Sequence, residues 1–92
     1  MGTPGQQATV TTVAASASSV TLFAAAGGGQ GRTVDNNSAA TLYLLFGSPA
    51  SASNFTVEIA PGGYYEFELP LFLGLVTGIW TSATGSADVT SW

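Results

Sequence analysis

The sequence has no cysteine, no histidine and no lysine, and Arg32 is its single basic residue among 92. Without cysteine there is no disulfide framework and no thiolate metal site. Without histidine the commonest general base and the commonest zinc ligand are missing. One cation cannot neutralise a run of phosphates, so nucleic acid is excluded as an expected partner. A polybasic membrane-surface site fails on the same count. No apolar run is long enough for a spanning helix, which needs ~20 residues; the most apolar stretch, Leu69 to Trp80, is broken by Pro70, Gly74 and Gly78. Residues 1–7 have neither the basic region nor the apolar region of a secretory signal.

Charge is the other shortage. Only 7% of residues are charged, and five acidic groups (Asp35, Glu58, Glu66, Glu68, Asp88) against Arg32 leave a net charge of −4. Ordinary soluble domains carry ~25% charged residues. Disorder is not the reason, because disordered chains combine low hydrophobicity with high charge, whereas this one is 46% hydrophobic. Its polar surface must therefore be built largely from ten Ser, twelve Thr, Gly, Asn and Gln. So neutral a surface favours association, and we expect much of it to be covered by copies of the same chain or by another protein.

What is present reads as strands between turns. A polar arm over 1–7, with Pro4 and two glycines, is expected to precede one β-sandwich domain over 8–92. Weak alternation runs from Ala8 through Val10 and Val13. Val20–Phe23 is a short apolar strand, and Ala24–Ala26 either extends it or forms a helical turn. The glycine-rich run from Gly27 to Gly31 predicts a flexible loop; it has neither the third glycine of a dinucleotide fingerprint nor the lysine of a P-loop. Thr33–Asp35 reads as a strand and Asn36-Asn37-Ser38 as a turn. Ala40–Phe46 is a strand apolar on both faces, central in a sandwich or covered by a partner. Asn54–Ala60 and Tyr65–Leu69 alternate as half-buried strands, joined by Pro61-Gly62 in the pattern of a type II turn. Leu75–Thr81 and Ala87–Trp92 complete the set, with Ala83–Ser86 between them expected as a hairpin loop. Seven or eight strands at ~8–12-residue spacing predict an all-β fold: a small antiparallel β-sandwich or jelly-roll-like barrel with little or no helix. Such a small core is commonly supported by oligomerisation.

Sites for chemistry are few. Glu66 and Glu68 share a strand face, with Cα atoms ~6.6–7 Å apart, near the ~5–9.5 Å carboxyl spacing of glycosidases. Any alternating strand with two glutamates produces this, and we expect no enzyme. Asp35, Asn36 and Asn37 fall short of the six to eight oxygens calcium requires. No cofactor and no metal is expected. The triplets at Asn36 and Asn54 match the glycosylation pattern only as chance allows in so Ser/Thr-rich a chain. Arg32 is read either as the partner of a carboxylate such as Asp35 or Glu58, or as an interface anchor. Tyr64, Tyr65 and Trp80, with Trp92, could form a flat platform for sugar rings, although core or interface is the commoner use of aromatics. Trp92 is the least expected of these in a core.

From Arg32 to Asp88 the chain resembles small structural proteins of tailed-bacteriophage particles. The resemblance is carried by Arg32-Thr33-Val34, Asn36-Asn37-Ser38, Leu42-Tyr43, Phe46-Gly47, Phe55-Thr56-Val57, Ala60-Pro61-Gly62, Tyr64-Tyr65-Glu66, Thr77-Gly78-Ile79-Trp80 and Gly85-Ser86-Ala87. It implies a virion protein on the head surface: a decoration or cement protein, often trimeric, that bridges neighbouring subunits of the major capsid protein. The expected partners are thus copies of itself and the capsid protein, with no nucleic acid and no membrane. Residues 1–12 are expected to make the capsid or neighbour contact, and Thr3, Pro4, Gln6, Gln7 and Val10, with Arg32 and Trp92 as anchors, are the expected interface residues. Another virion part (tail, fibre or head-to-tail adaptor) and a carbohydrate-binding module using Tyr64, Tyr65 and Trp80 are the alternatives.

Overall fold

The structure is a computed structural model that describes residues 8–25 and 29–92. The expected arm at 1–7, with Thr3, Pro4, Gln6 and Gln7, lies outside the described residues. Eight strands follow in order: β1 (Thr9–Ala14), β2 (Val20–Phe23), β3 (Arg32–Asn36), β4 (Leu42–Phe46), β5 (Val57–Ile59), β6 (Tyr64–Glu66), β7 (Val76–Trp80) and β8 (Ser86–Ser91). Among the described residues there is no helix.

The strands form two antiparallel sheets ordered β1-β8-β3-β6 and β2-β7-β4-β5. The pairs β1–β8, β2–β7, β3–β6 and β4–β5 are those of one long antiparallel ribbon, its first half lying against its second. The ribbon rolls up when β3 pairs with β8 and β4 with β7. This is the strand order of a jelly roll. It also corrects one expectation: Ala83–Ser86 is not a hairpin loop, since β7 and β8 belong to different sheets and the segment crosses between them.

Inward residues of both sheets fill one core. Val34, Ala87 and Val89 come from the first sheet, and Leu22, Phe23, Leu42, Leu44, Ile59, Val76 and Trp80 from the second. Period-two alternation sets this directly: in β8 Ala87 and Val89 are buried while their neighbours are not. β4 lies centrally in its sheet, which accounts for its inner apolar face. On the outer face Tyr43 is half-buried beneath Phe55, at a ring separation of 4.8 Å.

At one end of the sandwich the turns are locked by a buried amide. Asn36 ends β3, fully enclosed, rather than opening a turn. Its Nδ2 donates to the carbonyls of Ala40, Ile59 and Ala60 at 2.9, 3.1 and 3.1 Å. Its Oδ1 accepts from the Trp80 indole N–H at 3.2 Å and from the Ser38 hydroxyl at 2.7 Å. One side chain thereby joins β3, β7 and the loops after β3 and β5. The turn at Ala60-Pro61-Gly62-Gly63 has the expected type II geometry: Gly62 has φ +75° and the Gly63 N–H donates to Ala60 O at 2.8 Å.

Candidate protein–protein interface at the Arg32 end

The opposite end gathers three of the sequence-predicted interface residues. In register, Thr9 and Arg32 both pair with Ser91, and Val10 and Thr33 both pair with Thr90. The start of β1, the start of β3 and the end of β8 therefore lie side by side, with Val10, Arg32 and Trp92 in adjacent rows. The roles of these residues differ from one another.

Arg32 is an internal staple. It shares the inward face of β3 with Val34 and Asn36, while Asp35 lies on the outer face, and it is only 3% exposed. That parity is why it does not pair with Asp35. Glu58 is exposed on the other sheet. The guanidinium instead donates to backbone carbonyls: Nη1 to Phe72 and Gly74, both at 2.9 Å, and Nη2 to Ala24 at 3.0 Å and Leu73 at 3.3 Å. Its Cζ also lies 4.8 Å from the centroid of the Phe23 ring, a cation–π contact. Burial lowers its pKa from the ordinary value, but a guanidinium remains charged in a protein. Of the two readings of Arg32, carboxylate partner and interface anchor, the contacts support neither: buried on its own chain, it holds up the surface from beneath.

The surface it holds is the loop between β6 and β7, residues 67–75, whose Leu69-Pro70-Leu71-Phe72-Leu73-Gly74-Leu75 is almost wholly apolar. Consecutive carbonyls here have no strand partner, and only a fork of several fixed donors can satisfy them together. Phe72 stacks on Phe46 at 4.8 Å, Phe46 stacks on Phe67 at 5.0 Å, and Phe23 meets Phe67 edge-on at 5.5 Å. The loop is thus fixed by polar and aromatic contacts, yet Leu69 remains 78% exposed. A shallow open depression beside it is lined by Glu66, Phe67, Glu68 and Leu69. Glu66 and Glu68 are both exposed at its rim, as their alternation predicts.

Trp92 does dock, but on its own chain. Its N–H donates to Gly31 O at 3.1 Å, and its carbonyl accepts from the N–H groups of Gln30 at 2.6 Å and Gly31 at 3.3 Å. The indole lies so close over Gly31 that a Cβ there would be 2.1 Å from Cζ2. Trp92 is still 38% exposed, and Val10 is 62% exposed. Val10, Leu69 and Trp92 are three of the five large apolar side chains exposed among the described residues, and all lie toward this end.

The sugar platform is overturned. Trp80 is 2% exposed, its indole N–H committed to Asn36 inside the core. Tyr64 and Tyr65 are neighbours in β6, so they point to opposite faces; Tyr64 is exposed and Tyr65 packs against Phe67. Asp35, Asn36 and Asn37 do not converge either, since Asn36 points inward as a donor while Asn37 Nδ2 bonds the Asp88 carboxylate at 2.8 Å. No cluster of three metal-ligating side chains occurs among the described residues, and no helix there is long and apolar enough to cross a membrane. The signal for the Arg32 staple was present in the sequence: one arginine in phase with Val34 and Asn36 on an inward face. Comparison with known proteins finds no family model, curated protein or solved structure that matches the chain.

Proposed function

We propose that this chain is a non-enzymatic structural protein of a bacteriophage virion, a decoration protein on the head that bridges neighbouring capsid subunits as a homo-oligomer, with three copies at one symmetry position. The observation that carries the reading is the Arg32 end: an apolar loop, rigidly supported, with Leu69, Val10 and Trp92 uncovered and the only cation withdrawn beneath it. Exposed apolar groups on a fixed frame suit binding, since little ordering entropy is lost on contact. Interface cores are depleted in charge and rims are polar; here the run Leu69–Leu75 carries no charge, and Glu66 and Glu68 are exposed beside it. The sequence pattern from Arg32 to Asp88 and the jelly-roll strand order, which capsid proteins share with lectins and cupins, support the same reading, although fold alone does not assign function. Bound only to the assembled shell, such a protein stabilises it by mass action.

The test is sedimentation of the purified chain with undecorated heads of the phage that encodes it, beside light scattering for its native mass. Binding to heads, and a native mass that is a whole multiple of three times 9.2 kDa, are expected. Leu69→Asp is expected to reduce binding at least tenfold while leaving the fold intact, and removal of residues 1–7 to abolish it. Failure to bind heads refutes the decoration role, and immunogold labelling of tails instead of heads would move the protein to another part of the particle.

A further inference from the structure

Two sheets have four edges, and three of them are blocked against further pairing. β5 and β6 are three residues long; each carries a glutamate, Glu58 or Glu66, and each is soon followed by a proline, Pro61 or Pro70. β2 is four residues long and its register is broken between Thr21 and Phe23. Short length, charge, proline and bulges are the devices that keep sheet edges from joining other chains. β1 has none of them. Its six residues, Thr9-Val10-Thr11-Thr12-Val13-Ala14, carry no charge, no proline and no glycine, and they pair with β8 in unbroken register. Most of β1 is exposed, including Thr9 and Thr11, whose side of the sheet faces the second sheet.

We infer that β1 is a strand-pairing edge and that its partner is β1 of a second copy, antiparallel across a two-fold axis. The choice of a second copy follows from charge and pattern. Each copy carries a net charge of −4, so two copies approach best along a line free of carboxylates. The nearest carboxylate, Asp88 on β8, already accepts from Thr12 at 2.9 Å and from Asn37 at 2.8 Å. A two-fold axis normal to the sheet keeps each face on its own side, so residues that meet must share parity and the axis must pass at a residue. The two registers with the fullest overlap place Thr11 or Thr12 opposite its own copy. With Thr12 on the axis, Val10 meets Ala14 and Thr11 meets Val13; with Thr11 on it, Thr9 meets Val13 and Val10 meets Thr12. Neither opposes like charges, and Thr–Thr and β-branched pairs are favourable across strands. Two four-stranded sheets would become one continuous sheet. The inference does not rest on a virion role: the contact runs along the open edge of β1, whereas Leu69 and the loop over 67–75 follow β6 at the opposite edge of the same sheet.

A natural lack of cysteine makes the test clean. Thr11→Cys and Thr12→Cys are each oxidised and run without reductant, with Ser53→Cys, on an exposed loop of the second sheet, as control. Directly opposed cysteines can close a disulfide, so one of the two β1 variants is expected to form a covalent dimer at least tenfold faster than the control. In parallel, Val10→Lys puts a charge on an already exposed side chain, and light scattering is expected to show the native mass halved while circular dichroism shows the β fold retained. No disulfide dimer from either β1 variant, or a native mass that Val10→Lys leaves unaltered, overturns the inference. Loss of head binding without any change in these two measurements would count against the proposed function alone.

Discussion

Replacing Arg32 by methionine tests the staple directly. Methionine keeps an unbranched stem over the Phe23 ring and removes the guanidinium. Four carbonyl contacts are lost. A hydrogen bond to a charged group contributes about 1.5–3 kcal/mol, and these four share two nitrogens and are not additive. Carbonyls that the loosened loop can turn toward water recover part of the loss. The net effect is expected to be about 3–5 kcal/mol, the cost of about two buried carbonyls left without a donor. A chain of 92 residues has a total stability of about 5–14 kcal/mol, so the variant should fold but melt at least ~12 °C lower. Urea unfolding followed by tryptophan emission reads the free energy, and hydrogen exchange reads the site. Faster exchange confined at first to residues 67–75 and to Ala24 and Ala25 is expected. Arg32→Lys retains the charge, but its point-like ammonium cannot span the fork of acceptors, and about half the loss should remain. A loss below ~1 kcal/mol for Arg32→Met would show that the guanidinium's desolvation offsets its hydrogen bonds, and would refute its role as the support of the apolar loop.

Three further outcomes are expected. Asn36→Ala leaves the buried Trp80 N–H without its acceptor and takes the amide donor from the carbonyls of Ala40, Ile59 and Ala60, of which Ala40 keeps the Ser38 hydroxyl; it should destabilise by about 2–4 kcal/mol in chemical denaturation, and Trp80→Phe should remove most of the coupling in a double-mutant cycle. Asp35 and Asp88 are direct cross-strand partners, so Asp35→Asn should stabilise by about 0.2–1 kcal/mol at low salt, a gain that shrinks as added salt screens the pair. Gly31→Ala cannot coexist with the Trp92 ring in place; it should shift Trp92 emission to the red, measured in a Trp80→Phe background, and destabilise by about 1–2 kcal/mol.

Apolar, β-rich runs between turn residues made Val20–Phe23 and Leu42–Phe46 legible as strands, and a period of two, which one buried face imposes, did so for Val57–Ile59. Boundaries were less so. Asn54–Ala60 alternates throughout, yet only Val57–Ile59 pairs with β4, since alternation reports a buried face and not a neighbour to bond with. Tyr65–Leu69 likewise ends early, and Leu69 emerges into solvent. Arg32 and Asn36 were misread for a common reason: polar residues suggest turns and surfaces, and only the inward phase they share with Val34 shows otherwise. The gathering of Val10, Arg32 and Trp92 at one end depends on β1 and β3 flanking β8, a pairing of distant segments that no local pattern contains.

The rolled ribbon also dictates a schedule. β1 is the first of the eight strands to be synthesised, and among the described residues its one sheet partner is β8, the last. Every other pair in the ribbon nests inside that one, so β4 and β5 can meet early while β1 waits until residue 91 has been added. Pairings of such long sequence separation are slow to form. For that interval the uncharged strand Thr9–Ala14 has no neighbour within its own chain, and nascent copies on adjacent ribosomes can meet through it before either has closed.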